Sequence, residues 1–254
     1  MITINSKVFV GGSNIQAFNT PISLVAGSIL YLDAGNATSY PGTGTNWYDI
    51  SGQGMTASLV NTPTYQSTTG SFRLNGTNQY MSVTPNATLN ALNGFTNSYT
   101  IEVWAKSADP SPAGTFAPRL IEKRAATGVY PISIQINHLA SEKTLGFIFD
   151  NTNVPGALIS DGPDLWNNTW KQIVFVADFA ADNLKAYKNG SFFSSSINTT
   201  TTNTNNAANF YIGTNGGLST PFAGEIAIVR VYNTALTAEE INTNWFATKD
   251  RFGL

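Results

Sequence analysis

Not one of the 254 residues is cysteine, and a single histidine, His138, is present. Disulfides, thiolate metal sites and thiol catalysis are thereby excluded together, and one imidazole is too few for a zinc centre. His138 lies in INHLASEK, beyond a strand-like run, and no G-x-S-x-G elbow accompanies it; it reads as a solvated loop residue. Charge is equally scarce. Asp, Glu, Lys and Arg make up 11% of the chain, well below an average globular protein, and the formal net charge is −2. Such a surface offers no basic footprint, which argues against nucleic acid as a partner. It also repels copies of itself weakly, so it suits close packing or uncharged ligands. No apolar window is long enough to span a bilayer, and no membrane partner is expected.

What is present is Asn, Thr, Ser and Gly between short apolar-alternating runs. That punctuation marks an all-β sandwich or jelly roll. Strands are expected over 28–33, 71–75, 79–84, 98–106, 118–124, 131–137, 144–149, 156–160, 170–178, 183–188, 191–195, 208–213 and 222–232. Asn189-Gly190 is the clearest hairpin turn, because a type I′ turn needs positive φ at both central residues. Near the end, Thr237 stands where an N-cap belongs and Glu240 falls three positions later, a capping box. Leu236 and Ile241 occupy the places of a hydrophobic staple, so one or two helical turns are expected there. Residues 1–23, with alternating Ile2, Ile4, Val8 and Val10, read as an N-terminal arm or edge strand; residues 24–254 read as one domain. The tract from Ile197 to Phe210 reads as a long surface crossover.

Five segments carry a resemblance: LYLDAGNATSYPGTGTNWYDISGQG from Leu30, SFRLNGTNQYMSV from Ser71, YTIEVWAK from Tyr99, WKQIVFVADFAADNLKAYKNGSFFSS from Trp170, and GEIAIVRVYNTALTAEEINTNW from Gly224. In this order they resemble the laminin-G-like branch of the concanavalin A-like lectin/glucanase superfamily, of the kind found in bacteriophage virion proteins. The resemblance implies a two-sheet antiparallel jelly roll with one short C-terminal helix.

The glucanase relatives place paired carboxylates on one strand as E-x-D-x-x-E, the pair that glycoside hydrolysis needs. Here the matching strand reads Glu102-Val103-Trp104, with Trp where the second acid would stand, so no catalytic residue is assigned. Relatives also often hold a calcium ion. The final-strand ligand corresponds to Ala227, which cannot coordinate, leaving Asp33, Asp49 and backbone carbonyls. Asp49 reads equally well as a turn residue bonding backbone amides before Ser51-Gly52. No cofactor and no metal ligand are assigned. Glycan binding would use exposed rings, and Trp47, Tyr48, Tyr130 and Trp166 lie in or beside predicted loops; the competing reading is that these rings cap the core.

The conjunction of a lectin-like pattern, low charge, no export signal at Met1 and a lost acid pair leads to one expectation. It is a non-catalytic virion structural protein, a capsid decoration, fibre or tail component, made in the host cytoplasm. Its expected partners are other virion proteins or copies of itself, and cell-surface polysaccharide. The alternatives are a bacterial extracellular carbohydrate-binding or adhesion module and, behind it, a glycoside hydrolase.

Overall fold

The computed structural model describes residues 23–92, 97–110, 117–124, 132–137, 144–148, 157–159, 165–197 and 207–254. The predicted arm up to residue 22, Tyr130, His138 and the tract 198–206 lie outside them.

Two antiparallel sheets form the domain. The first runs Ser191–Ile197 (β14), Asn183–Lys188 (β13), Lys171–Asp178 (β12), Tyr99–Lys106 (β7), Ala223–Tyr232 (β16), Ser71–Asn75 (β5) and Thr64–Gln66 (β4). Ser28–Asp33 (β1) shares with β5 the side of β16 opposite β7, each taking half of that long strand. The second sheet runs Ala157–Ile159 (β11), Thr144–Ile148 (β10), Ile132–Asn137 (β9), Arg119–Lys123 (β8), Phe210–Ile212 (β15), Tyr80–Val83 (β6), Thr56–Val60 (β3) and Asn46–Tyr48 (β2).

The core lies between the layers. Ile101, Val103 and Ala105 of β7, Ile173, Phe175 and Ala177 of β12, and Val229 and Val231 of β16 join one buried cluster. Ile132, Ile134 and Ile136 of β9 belong to the same cluster, with Met81 and Val83 of β6 and Phe210 and Ile212 of β15. Successive strand residues point to opposite faces, so the alternate residues of β7, β12 and β16 face outward. In these strands they too are buried, which explains why VFVA and IAIVRVY read as continuous apolar runs.

Their cover is the helix Ala238–Thr248 (α2) and the 3₁₀ turn Lys249–Phe252. The Thr237 and Glu240 capping box forms as expected, and Leu236 and Ile241 are buried together with Val174, Val176, Tyr187 and Tyr232. The helix is eleven residues long, not the one or two turns expected. Its INTNW stretch has weak propensity, and packing holds it: Trp245 stacks on Trp104 at 5.4 Å, and Phe252 on Trp104 at 4.4 Å. The Asn189-Gly190 turn has φ of 52° and 76°, as a type I′ turn requires. Glycine is doubly required at 190, since a Cβ there would lie 2.8 Å from the Trp245 ring.

Candidate functional site

Glu102, the acid on the glucanase-like strand, faces outward from the first sheet and lies fully under α2. Its Oε1 accepts from Arg230 Nη1 at 2.7 Å, Trp104 Nε1 at 3.0 Å and Gln172 Nε2 at 3.0 Å; its Oε2 accepts from Asn244 Nδ2 at 3.0 Å. Trp104, standing where a second acid would be, is thus a donor to the first. Burial opposes the charge on Arg230, but the Glu102 carboxylate more than offsets it and holds the guanidinium above its ordinary pKa. Asn244 also accepts from Val25 N–H at 2.9 Å and donates to Tyr232 at 3.0 Å, so the network ties the helix to the start of the domain. This arrangement is an anchor. It has no open side for substrate.

Trp47 is 0% exposed and meets Phe72 edge-on at 5.0 Å; Trp166 is 4% exposed, 5.8 Å from the Phe222 ring. Both rings fill the core, and neither can stack on a sugar. The core-capping reading is correct for them, because the ends of a two-sheet core need large side chains. Tyr48 is 43% exposed.

The register of the second sheet places Tyr48 on a surface. Trp47 pairs with Ala57, both buried and inward, so Asn46 and Tyr48 turn outward. Asn46 pairs with Ser58, Ser58 with Ser82, and Ser82 with Tyr211, one row across four strands. Tyr80 and Tyr211 meet on this face, with centroids 6.2 Å apart at 57°. Asn209 Nδ2 donates to Ser82 Oγ at 3.2 Å, and Asn46 Nδ2 reaches the Tyr48 hydroxyl at 3.5 Å. Asn46 and Ser58 are exposed; Ser82, Tyr80 and Tyr211 are half-buried. The surface is therefore a platform of phenol rings, hydroxyls and amides without a formal charge. Further along the row it closes. Glu122 is buried and accepts from Arg119 Nε at 2.8 Å, Ser133 Oγ at 3.3 Å and Gly216 N–H at 3.1 Å.

Sequence reading missed Tyr80 and Tyr211. The signal was the period-two alternation of Tyr80-Met81-Ser82-Val83 and Phe210-Tyr211-Ile212, which sends the tyrosines to the face opposite the core.

A depression of 330 Å³ lies at the end of β7 and is lined by Arg73, Lys106, Asp109, Asn168 and Glu225 among others. Glu225 is already engaged by Ser71 Oγ at 2.9 Å, Arg73 at 2.9 Å and Lys106 at 3.4 Å. Burial pushes its carboxyl upward, but these donors and charges outweigh that and hold it below its ordinary value.

The residues do not fit a calcium ion. Ala227 is the extra residue of a β-bulge between β16 and β7 and lies buried against Trp104 and Trp170. Asp49 accepts from Tyr31 N–H at 2.8 Å, Ser51 N–H at 2.9 Å and Ser51 Oγ at 2.8 Å, the turn role its position suggests. Asp33 is paired with Arg251 at 2.5 Å. Among the described residues no group of three or more His, Cys, Asp or Glu could hold a metal.

Solved structures of similar fold include the binding domain of botulinum neurotoxin serotype D, at TM-score 0.66 and 13% identity over 87% of this chain and 50% of that one. The binding domain of botulinum neurotoxin DC, in complex with SialylT, matches at TM-score 0.64 and 15% identity over 87% of this chain and 52% of that one. The binding domain of Paraclostridial Mosquitocidal Protein 1 matches at 0.61 and 14%, over 86% and 52%. The chain thus spans about half the length of each. No curated protein matches it by sequence. The family model for laminin G domains, described as the concanavalin A-like lectin/glucanases superfamily, matches residues 74–242, more than half of the chain. The chain belongs to that laminin-G-like family.

Proposed function

We propose that this chain is a non-catalytic recognition domain that binds an uncharged glycan on the outer face of its second sheet and is displayed on a virus particle. The observation that carries the non-catalytic part is the saturation of Glu102: both of its oxygens accept bonds beneath α2, and its neighbour two residues on is one of the donors. A general acid or nucleophile must reach a glycosidic bond, with a second carboxylate roughly 5–10 Å away. The glycan part rests on the Tyr48, Tyr80 and Tyr211 platform, where sugar C–H faces can lie on phenol rings and the surrounding Ser and Asn side chains can meet hydroxyls. Similarly folded binding domains solved in complex with SialylT and with rat synaptotagmin II support a contact role for the fold. The particle part rests on composition, since 11% charge favours close packing against neighbours.

Two measurements test this. A glycan array should give hits that Tyr48→Ala, Tyr80→Ala and Tyr211→Ala weaken, while Trp47 and Trp166 variants act only through stability; an array without hits removes the glycan reading. Immunogold microscopy should place the chain on particles, and label found only on free protein removes the display reading.

A further inference from the structure

The side chain of Arg251 lies over the Phe252 ring, 5.0 Å from its centroid, and every hydrogen-bond acceptor it meets is an oxygen. Its Nη1 donates to Asp33 Oδ1 at 2.5 Å, Nη2 to the Gly70 carbonyl at 2.5 Å and Nε to the Thr69 carbonyl at 3.0 Å. Three nitrogens of one planar group thus meet one carboxylate and two backbone carbonyls, the ligand types that hard divalent cations take. The cradle is shaped for this occupant. A Cβ on Gly35 would lie 2.4 Å from the guanidinium carbon, and one on Gly70, at φ 59°, would lie 2.6 Å from Nη2. Ala227 adjoins the cradle, because Ala34 N–H donates to its carbonyl at 3.0 Å. The next residue, Phe252, is seated on Trp104 and Trp170, with centroids 4.4 and 4.6 Å away, which fixes the backbone that delivers Arg251.

We propose that the Arg251 guanidinium is a built-in cation that takes the place of a metal ion at this junction of β1, the 66–70 turn and the C-terminal turn. One positive charge on a covalent tether neutralises Asp33 and the two carbonyl dipoles. The domain therefore closes without calcium, and removing the side chain uncovers a weak oxygen site for that ion.

The test uses the full chain, with thermal unfolding followed in EDTA and in about 10 mM CaCl2, above the weakest range of calcium modules. The wild-type midpoint should be the same in both, to within about 1 °C. Arg251→Ala should melt several degrees lower in EDTA and regain about 3 °C or more with calcium. Asp33→Asn combined with Arg251→Ala should regain nothing. If Arg251→Ala folds in neither buffer, Arg251→Gln, which keeps the stem and loses the charge, is read in the same way. A wild-type midpoint that EDTA lowers or calcium raises overturns the proposal, as does an uncharged variant that calcium leaves unmoved.

Discussion

Both oxygens of Glu102 are engaged and the residue is fully buried with Arg230, so the consequences of changing it are those of a buried ion pair. Removing one partner leaves the other charge uncompensated, which costs about 3–5 kcal/mol. Glu102→Ala and Arg230→Ala should each lower the free energy of unfolding in urea by that order; a loss below about 1 kcal/mol would show that the pair is not the anchor described. Lys123 makes a second residue-scale test. Burial lowers its pKa to about 8. The unfolded chain, with an ordinary lysine, keeps its proton to a higher pH, so between about pH 8 and 10 the unfolded state binds more protons and stability rises with pH. Wild type should gain roughly 1–2 kcal/mol from pH 8 to 9.5, and Lys123→Met should show no such rise. A wild-type profile flat across that window would contradict the assignment.

At the scale of elements, α2 is held by two kinds of force that can be separated. Thr237 Oγ1 accepts from Glu240 N–H at 3.2 Å and Glu240 Oε2 accepts from Thr237 N–H at 2.8 Å, a local bond pair. Thr237→Ala should cost about 1 kcal/mol in chemical denaturation, with the fold retained. Trp245→Ala removes a ring stacked on Trp104 and should cost more, about 3 kcal/mol. If the cap proved the larger of the two, packing would not be what extends the helix through INTNW. The same contrast explains what could be read in advance. The capping box, the staple and the Asn189-Gly190 turn are written in adjacent residues, and strands such as β1, β5 and β13 have the bounds their alternation indicates. The strands β2, β3 and β4 and the short helix Ala87–Asn90 (α1) were not legible. β2 and β4 have three residues each, and Ala57 and Leu59 alone mark β3, so the register of β2 on β3, β3 on β6 and β4 on β5 defines them more than pattern does.

For the whole molecule, the two sheets divide the work. The first is buried on both faces in its central strands by α2 and the C-terminal turn, and every described polar group of the Glu102 network is directed inward to that cover. The second keeps one face of its β2–β3–β6–β15 half accessible and uncharged. Sequence reading grouped Tyr48 with Trp47 and Trp166 as candidate contacts; Tyr48 is exposed and the two tryptophans are buried, because burial of a loop-flanking ring depends on which way its backbone faces. One residue of register separates Trp47, in the core, from Tyr48, outside it. The central claim is contact without turnover. It is tested most directly by incubating the protein with a polysaccharide that it retains in affinity electrophoresis and following reducing ends over hours. The account predicts retention that Tyr80→Ala and Tyr211→Ala reduce at least about tenfold, the effect of losing roughly 1.4 kcal/mol, with reducing ends no higher than in the protein-free control. Reducing ends that rise with time and with protein concentration would contradict it.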